Sequence, residues 1–534
     1  MPENKDTLMQ GLPISTHTFE KIRNRNYLYV DKTPFIEKLV NSGTYFFLSR
    51  PRRFGKSLML TTLKAFFEGK KELFEGLYIA EKEQDWTVYP VIHIDYSLVA
   101  YKRGRKIFDE SLIFNLQHNA NQYDIKLSSA NVSDAFLELV AKLQEKYQQK
   151  VVVLVDEYDK PIIDMLGKEE QFLENREVLR SLYTNFKGLD QSLHFVMLTG
   201  VSRFSKVSIF SGLNNLEDIS NNDEYSTIVG FTQQELEAKF EPYFQGLQNK
   251  LSIDRQRLLE LTKIWYNGFS FDGEHRLYNP FSILNLFKQL QFENYWFSTG
   301  TPTFLMDLIK EQQQLPEELE GIKVNDLVGS SLQLKEFPLL PILYQTGYLA
   351  MRSKEWDGFQ IVYCLDYPNF EVKHSFLTFL TAAFKRKDEF VIQNERLHLR
   401  DTLLEERVED FVKRLQSFLA DIPARLHLPK EAYYHSLVYL VLRIIGFQLI
   451  LEKETDKGRI DAVLELNDKI YIIEFKFGLQ TKVKKVETLS RNALKQIQDK
   501  KYYEAYLSSG KRILLLGLGF LDKKLHGRVK ELEV

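Results

Sequence analysis

The sequence contains a single cysteine, Cys364, among 534 residues. One thiol excludes an internal disulfide framework and any zinc site built from several cysteines, and it is typical of a protein from a reducing cytosol. The ten histidines form no H-E-x-x-H pair, and no Gly-x-Ser-x-Gly motif occurs. Zinc proteases and α/β-hydrolases therefore have no support in this sequence.

Long hydrophobic runs are also missing. No stretch reaches the roughly 18 apolar residues that a membrane-spanning helix needs. The longest candidate, 437–451, carries Arg443 and is interrupted by Gly446. The first residues, MPENKDTLMQG, lack the apolar segment of a signal peptide. We therefore expect a cytoplasmic protein with no membrane partner.

The chain has no low-complexity tract, no fixed-period repeat and no linker rich in Pro, Gly or Ser. Its 44% hydrophobic and 27% charged residues are typical of a globular protein. A length of 534 residues exceeds what one hydrophobic core normally includes. The composition thus predicts two to four domains.

The net charge of −2 conceals an asymmetry along the chain. From Lys430 to the end there are 20 basic and 14 acidic residues, so the preceding part carries an acidic excess. A basic C-terminal part is compatible with a nucleic-acid partner. Ordinary variation of surface charge between domains explains the same numbers, and charge alone favours that plainer interpretation.

Short apolar runs alternate with amphipathic helical patterns, such as 57–67 and 132–147, in the first part of the chain. Buried strands that alternate with helices predict an α/β fold with a parallel sheet covered on both faces. The predicted strands are Tyr45–Leu48, Val91–Ile94, Val151–Val155 and Phe195–Leu198.

The pattern changes several times after this first part. It is mostly helical from 231 to 297, and a helix over 339–348 then leads into two strand-like runs, 348–352 and 359–365. A helix followed by a hairpin favours a winged helix. Charged amphipathic helices follow, and a last α/β unit begins near Pro429. We therefore predict five segments, 1–230, 231–300, 301–375, 376–428 and 429–534.

The segment SRPRRFGKS, between a strand and a helical pattern, indicates a phosphate-binding loop. Backbone N–H groups at the start of such a helix surround nucleotide phosphates, while Lys56 would neutralise charge and Ser57 would hold Mg²⁺. Arg50 stands where the pattern G-x-x-x-x-G-K-[ST] has its first glycine. The tripeptide GKS is weak evidence alone, and the strand–loop–helix context strengthens it. The residues expected at the nucleotide are Arg52, Arg53, Phe54, Gly55, Lys56, Ser57, Asp156 and Thr199.

Two adjacent acids, Asp156 and Glu157, follow the buried run 151–155. They would lie at the carboxyl end of a parallel strand, where such sheets bind ligands. Asp156 would hold Mg²⁺, and Glu157 would orient and deprotonate the attacking water. Thr199 ends the next strand and would sense the γ-phosphate, whereas Arg203 on the same rim is expected as a surface charge. Acids that only solvate a strand end are the plainer alternative, which the phosphate loop makes less attractive.

These motifs resemble a family of bacterial predicted AAA-ATPase-like proteins, in which the arginine in place of the first glycine is part of the pattern. The resemblance covers nearly the whole chain. It implies an AAA-like or STAND-like ATPase fold that uses ATP or ADP, with a helical lid, a winged-helix-like segment and a C-terminal PD-(D/E)XK nuclease-like domain. The motifs that carry it are YVDKT, SRPRRFGKSL, VDEYDKP, FSGLNNLEDIS, WYNGFSF, YNPFSIL and QTGYLAM.

The C-terminal stretch GRIDAVLELNDKIYIIEFKFG predicts a β-hairpin with the Asn-Asp dipeptide at its turn. In this register Leu466 pairs with Lys469, and Asp461 lies opposite Glu474. Lys476 follows on the same face of the strand. Facing carboxylates repel each other unless a cation lies between them, and carboxylate oxygens suit Mg²⁺ or Mn²⁺.

This arrangement predicts a metal-dependent phosphodiesterase. Lys476 would activate a water or stabilise charge on the phosphorane, and Glu431 would add a third acid to Asp461 and Glu474 at the metal. An E-x-K motif alone is not specific, because Glu371 begins another one, and a surface salt bridge is the plainer alternative. The tail nevertheless resembles the PD-(D/E)XK domain residue by residue. The residues expected to contact the nucleic-acid backbone are Gln496, Tyr502, Lys495 and Lys500.

Two functions remain open on the sequence. The first is an ATP-gated nuclease that acts on DNA rather than RNA. The second is a STAND-like regulatory switch whose C-terminal domain binds nucleic acid without cutting it. The sequence leaves homo-oligomerisation open.

Overall fold

The computed structural model describes residues 9–82, 85–203, 215–297, 319–325, 339–385, 389–420, 448–455, 458–466, 468–478, 485–521 and 524–532. The chain divides into two compact units. The first comprises Met1–Gln312 and Leu319–Lys373, and the second comprises Gln313–Glu318 and His374–Val534. The predicted five-segment division stays a prediction. Within the described ranges, no helix is long and apolar enough to cross a membrane.

A five-stranded parallel sheet forms the centre of the first unit. Its strands are β1 (Tyr45–Ser49), β2 (Val91–Asp95), β3 (Val151–Asp156), β4 (Leu193–Gly200) and β5 (Glu217–Asp218), in the spatial order β2-β3-β4-β1-β5. Every residue of β1 and β3 is buried, because these strands lie inside the sheet and their runs of Val, Leu and Phe are covered on both faces. The parallel α/β fold predicted from the apolar runs is confirmed.

Helices accompany this sheet, and several of them share one large hydrophobic core with its strands. The helix Val132–Tyr147 starts where predicted, because the side chain of Asn131 accepts a hydrogen bond of 2.8 Å from the backbone N–H of Asp134. The α-helices of this part are Phe19–Asn24, Pro34–Ser42, Lys56–Phe67, Tyr78–Lys82, Arg105–Asn121, Val132–Tyr147, Lys160–Ile163 and Glu169–Gly188. Short 3₁₀-helices span Lys71–Phe74, Tyr96–Leu98 and Asp223–Tyr225.

A helical segment follows the sheet. A capping box between Thr232 and Glu235 starts its first helix. Strands β6 (Asn267–Phe269) and β7 (Leu277–Tyr278) form a short antiparallel pair beside the helices. The helices span Gln233–Leu251, Arg255–Tyr266 and Pro280–Gln289. Their apolar faces form a hydrophobic core together with Leu28 and Val30, and this core is distinct from that of the sheet.

The helix Leu339–Thr346 is followed by an antiparallel hairpin, as the sequence predicted. The hairpin consists of β9 (Ala350–Trp356) and β10 (Ile361–Asp366), and β8 (Ile322–Val324) pairs with β10. The helix and the hairpin are thus present, and their assignment as a winged-helix-like segment stays a prediction.

The second unit is built on a mixed sheet in which β13 and β14 are parallel and the other neighbours are antiparallel. Its strands are β11 (Gln448–Thr455), β12 (Gly458–Glu465), β13 (Lys469–Gly478), β14 (Arg512–Leu521) and β15 (Lys524–Glu531), which neighbour each other in that order. The helix Phe370–Lys385 begins in the first unit and continues into the second. The remaining helices are Glu389–Leu404, Val408–Ala420, Val486–Lys500 and the 3₁₀-helix Tyr502–Ser509.

The hairpin register of β12 and β13 agrees with the sequence prediction. Leu464 pairs with Tyr471, and the backbone N–H of Leu466 donates a hydrogen bond of 2.8 Å to the carbonyl of Lys469. The first residue of the predicted turn, 467, lies outside the described residues. Because the register fixes which side chains share a face, it puts Asp461 and Glu474 on the same side of the sheet.

The helix Val486–Lys500 covers that same side, and glycine allows its close approach. A Cβ atom at Gly517 would lie 2.5 Å from the carbonyl oxygen of Ser490, and one at Gly519 would lie 2.5 Å from its backbone nitrogen. Glu474 is the β13 neighbour of Gly517. The small residues of β14 thus bring the helix beside the predicted metal-binding acids.

Candidate functional site

The phosphate loop runs from β1 into the helix Lys56–Phe67. Gly55 caps this helix with a φ of +100°, a left-handed conformation that favours glycine. The ammonium of Lys56 is buried and donates to the carbonyls of Arg50 (2.8 Å) and Pro51 (3.0 Å). Burial lowers the pKa of Lys56, and the carboxylate of Asp156 opposes that shift. The loop therefore brings together a helix N-terminus and a buried lysine, which are the two parts that recognise phosphate.

Arg50, which replaces the usual glycine, turns its side chain into the protein interior. It is fully buried and donates to the carbonyls of Ser220 (2.6 Å) and Tyr225 (3.2 Å). Its guanidinium carbon lies 3.8 Å from the centre of the Phe271 ring. Burial lowers the pKa of Arg50 to about 9. The arginine therefore ties the phosphate loop to the segment that follows β5.

Phe54 also belongs to the interior. Its ring is fully buried, with its centre 5.0 Å from that of Phe269 and 5.6 Å from that of Phe271. Its backbone carbonyl accepts a hydrogen bond of 3.2 Å from the N–H of Gly230. Only the backbone of Phe54 is thus left to contribute to a phosphate site, and its side chain anchors the loop.

Arg52 and Arg53 of the loop are contacted by Trp296 and by Phe281 of the helix Pro280–Gln289. The indole N–H of Trp296 donates a hydrogen bond of 3.0 Å to the carbonyl of Arg52. The guanidinium of Arg53 lies 3.9 Å from the centre of the Phe281 ring, and the backbone of Arg53 has a φ of +61°. The loop arginines therefore contact other parts of the same unit.

Asp156, the last residue of β3, and Glu157 after it lie at the carboxyl edge of the sheet, close to the phosphate loop. Oδ1 of Asp156 accepts hydrogen bonds from the hydroxyl of Thr199 (2.6 Å) and from the backbone N–H of Glu157 (3.0 Å). Ser57 and Asp156 line one cleft of about 250 Å³. An alcohol and a carboxylate on one cleft are ligand types that suit Mg²⁺, so these residues fit the predicted ion.

Glu157 occupies a left-handed backbone conformation with a φ of +51°, which is uncommon for a residue other than glycine. Burial raises the pKa of its carboxyl group, and the ammonium of Lys160, 3.5 Å away, opposes the shift. A carboxylate with a raised pKa is suited to accept a proton from water. The geometry therefore leaves Glu157 available for the predicted role of general base.

Sequence reasoning missed Asp159, two residues further along the VDEYDKP motif. Its buried Oδ2 accepts from the backbone N–H groups of Val201 (2.9 Å) and Ser202 (2.6 Å) and from the Ser202 hydroxyl (2.7 Å). This carboxylate holds the end of β4 against the acidic segment. The feature of the sequence that could have indicated Asp159 is its position two residues after Glu157 in the VDEYDKP motif.

Arg203 is not the surface charge that the sequence led us to expect. Its side chain is 10% exposed and forms an ion pair of 2.5 Å with Asp218 at the end of β5. Its backbone N–H donates a hydrogen bond of 3.0 Å to the side-chain oxygen of Gln345 in the helix Leu339–Thr346. The expectation failed because both partners are distant in sequence.

The second site lies on the β12–β13 hairpin. The backbone N–H of Phe475 donates a hydrogen bond of 2.7 Å to the carboxylate of Asp461. Glu474 is 2% exposed, and its Oε1 accepts from Lys476 (3.4 Å) and from the amide of Gln496. Burial and then the charge of Asp461 raise the pKa of Glu474 to about 7. The structure therefore brings the predicted acids and Lys476 together.

A divalent cation fits this pair. Oε2 of Glu474 is buried and has no hydrogen-bond partner among the described residues, which is costly for a carboxylate unless a cation satisfies it. Carboxylate oxygens are the ligands that Mg²⁺ and Mn²⁺ prefer. Within the ranges that the structure describes, no cluster of three acidic, His or Cys ligands occurs, and Glu431 lies outside those ranges.

The residues expected at a nucleic-acid backbone divide into two kinds. Lys495 and Lys500 are exposed on the helix Val486–Lys500. The ring of Tyr502 is 4% exposed, and Gln496 is bonded to Glu474. The lysines are thus accessible, and their contact with phosphate stays a prediction, whereas Gln496 bonds to an acid and Tyr502 is buried.

Comparison with known proteins matches both sites to family models. A model described as "Predicted AAA-ATPase" matches residues 13–210, which include the phosphate loop and the acids after β3. A model of the PD-(D/E)XK nuclease superfamily matches residues 429–528, which include the hairpin acids. A protein from Azotobacter chroococcum mcd 1, described as "Uncharacterized protein in vnfD 5'region", is 38% identical over 517 residues, which cover 95% of this chain and 96% of that protein.

Proposed function

Because the chain belongs to the family of predicted AAA-ATPases with a C-terminal PD-(D/E)XK nuclease superfamily domain, we propose that it binds and hydrolyses ATP and uses the nucleotide to gate metal-dependent cleavage of a nucleic acid. DNA is the proposed substrate in preference to RNA. The observation that carries the nuclease part is the buried Oε2 of Glu474, which has no partner among the described residues and lies beside a second carboxylate.

In the ATPase site, Lys56 moves its ammonium from the loop carbonyls to the phosphates of the nucleotide. Ser57 and Asp156 would hold Mg²⁺, which would neutralise phosphate charge. Glu157 orients the attacking water and accepts its proton, and Thr199 holds Asp156 in place.

In the nuclease site, Asp461 and Glu474 hold Mg²⁺ or Mn²⁺, and Glu431 is proposed as a further ligand. A bound metal would supply positive charge next to the phosphate of the substrate. The side chain of Lys476 is 35% exposed and 3.4 Å from Glu474, so its ammonium can reach a phosphate oxygen. Gln496 fixes the rotamer of Glu474, and Lys495 and Lys500 bind the backbone of the substrate.

The test is cleavage of plasmid and single-stranded DNA, and of RNA of matched length, in Mg²⁺ or Mn²⁺ with and without ATP. The wild type is expected to cleave DNA, and Asp461→Ala should lose at least about 100-fold in rate. Equal rates in both proteins would falsify the nuclease assignment. Equal cleavage rates with and without ATP would contradict the proposal that the nucleotide gates the nuclease.

A regulatory switch that binds but does not cut is the second candidate, because Oε1 of Glu474 already accepts from both Lys476 and Gln496. A carboxylate held in this way can serve as a structural part of a binding surface. The switch predicts metal-independent DNA binding by wild type and Asp461→Asn alike, with no cleavage of any polymer. Cleavage by the wild type excludes it.

A further inference from the structure

Phe281, Trp296 and Gly347, all outside the parallel sheet, contact the phosphate loop. The Phe281 ring lies against Arg53, and the indole of Trp296 binds the carbonyl of Arg52. A Cβ atom at Gly347, where φ is +90°, would lie 2.7 Å from Cβ of Pro51. The shape of the loop is therefore set by side chains that the usual phosphate-loop pattern does not contain.

Trp296 makes the most specific of these contacts. Its indole N–H···O bond of 3.0 Å holds a loop carbonyl four residues before Lys56. The ring is 6% exposed, and its centre lies 5.4 Å from that of Tyr348 in an edge-to-face arrangement and 6.0 Å from that of Phe269. Since aromatic packing restricts the indole to one orientation, the donor has little freedom to leave Arg52.

The backbone of Trp296 is held in turn by a buried acid. Oε1 of Glu371 accepts a hydrogen bond of 2.5 Å from the Trp296 N–H. Oε2 accepts 2.8 Å from the hydroxyl of Ser282, at the start of the helix that carries Phe281. Glu371 is fully buried. Both donors are neutral, and a carboxyl group without a compensating charge is costly to bury, which argues for a specific role.

We propose that Glu371 and Trp296 are positioning residues for the phosphate loop, in which Glu371 fixes Trp296 and Trp296 fixes the Arg52 carbonyl. The inference rests on the proposed binding of ATP, because the loop is the part that they hold. When a nucleotide draws Lys56 away from the carbonyls of Arg50 and Pro51, these carbonyls lose a donor and the loop can shift at the neighbouring Arg52 carbonyl. The indole N–H of Trp296 then reports that movement.

Glu371 belongs to a helix that continues past the end of the first unit. Glu371 lies in the first turn of the helix Phe370–Lys385, whose residues from His374 onward belong to the second unit. A shift of the Arg52 carbonyl would therefore change the hydrogen bonds at the start of that helix.

The test uses the full chain and four variants. Trp296→Phe removes the N–H donor but keeps a ring, and Trp265→Phe is the control, since Trp265 packs on Phe292 and Phe370. Glu371→Gln keeps an acceptor of the same shape, whereas Glu371→Leu removes it. The measurements are tryptophan emission during titration with ADP and Mg²⁺, KM and kcat for ATP hydrolysis, and a thermal unfolding curve for each protein.

Trp296→Phe is expected to raise KM for ATP about threefold to tenfold, the effect of one lost hydrogen bond, with a smaller change in kcat. It should also lose most of the nucleotide-dependent change in emission, which Trp265→Phe should keep. Glu371→Gln should behave as the wild type and Glu371→Leu as Trp296→Phe, because the acceptor decides the effect.

A Trp296→Phe variant with the wild-type KM and emission change would overturn the inference, as would equal behaviour of the two Glu371 variants. If Trp296→Phe does not fold, the Glu371 pair decides between the outcomes. A wild type that binds no nucleotide contradicts the proposed function itself. A wild type that binds and is matched by the variants contradicts only the positioning role.

Discussion

The hydroxyl of Thr199 donates a hydrogen bond of 2.6 Å to Oδ1 of Asp156 across neighbouring strands. Thr199 is fully buried on β4, the strand between β1 with its phosphate loop and β3 with its acids. The strand order therefore gives Thr199 contact with Asp156, the acid proposed to bind Mg²⁺, and a place next to the phosphate loop. A contact of this kind makes the hydrolysis step sensitive to one buried hydroxyl.

Replacing Thr199 by Val keeps the volume but removes the donor to Asp156. We expect kcat for ATP hydrolysis to fall about tenfold, because the carboxylate loses the bond that orients it, while nucleotide affinity changes less than threefold. Thr199→Ser, which keeps a hydroxyl, is the matched control. A Val variant that hydrolyses ATP as fast as the Ser variant would show that the hydroxyl has no role.

Glu157→Gln tests the general base at the same edge of the sheet. Gln keeps the shape of the side chain but cannot accept the proton of the attacking water. The variant should bind ATP with the wild-type affinity and hydrolyse it at least about 100-fold more slowly. Nucleotide binding is measured by equilibrium titration and turnover by phosphate release. Unchanged turnover would remove Glu157 from the mechanism.

Arg50→Gly restores the glycine of the common phosphate-loop pattern and is expected to harm the protein. The guanidinium bonds to the carbonyls of Ser220 and Tyr225 would be lost, and each such charged hydrogen bond contributes about 1.5–3 kcal/mol. The free energy of unfolding in urea should fall by at least about 2 kcal/mol, and nucleotide affinity should fall with it. Arg50→Lys, which keeps the charge, should lose less. A glycine variant as stable as the wild type would show that the hydrogen bonds of Arg50 do not stabilise the fold.

The buried carboxyl group of Glu371 predicts a pH dependence of stability. Burial raises its pKa from 4.5 to about 8, so the folded protein keeps the proton at a pH where the unfolded chain has lost it. The free energy of unfolding should therefore decrease as pH rises from about 4.5 to about 8, by at most about 1.4 kcal/mol per pH unit, and this contribution should level off above pH 8.

Glu371→Gln has no proton to lose, so its stability relative to the wild type should increase between pH 6 and pH 8. Urea unfolding curves at pH 6, 7, 8 and 9 measure the difference between the two proteins. Parallel pH profiles would show that Glu371 does not titrate in this range.

Metal removal should destabilise the second unit through Glu474. With Mn²⁺ at about 100 times its dissociation constant, the folded state gains about 2.7 kcal/mol, which EDTA removes. Glu474→Gln should melt at the same temperature with Mn²⁺ and with EDTA, because an amide is a poor ligand in place of the carboxylate. Glu465→Gln is the control on the same hairpin, since Glu465 pairs with Lys511 instead. Equal metal-induced shifts in all three proteins would place the metal elsewhere.

Much of both sites could be predicted because their parts are close in sequence. The phosphate loop occupies nine consecutive residues, and the β12–β13 register follows from a short turn between two runs of alternating pattern. Local periodicity and turn chemistry determine such elements. The partners of Arg50 and Arg203 could not be predicted, because a buried side chain bonds to whatever carbonyls or carboxylates the tertiary packing brings to it.

The sequence by itself determined that this chain has a parallel α/β unit with a phosphate loop and a hairpin with facing acids, because hydrophobic period and residue type act locally. Only the tertiary structure decided that Trp296 binds the carbonyl of Arg52, 244 residues away. It also decided that Gln496 donates to Glu474 and that a buried arginine braces the phosphate loop. These contacts join residues that approach each other only after the cores have formed, when desolvation leaves each buried polar group in need of a partner.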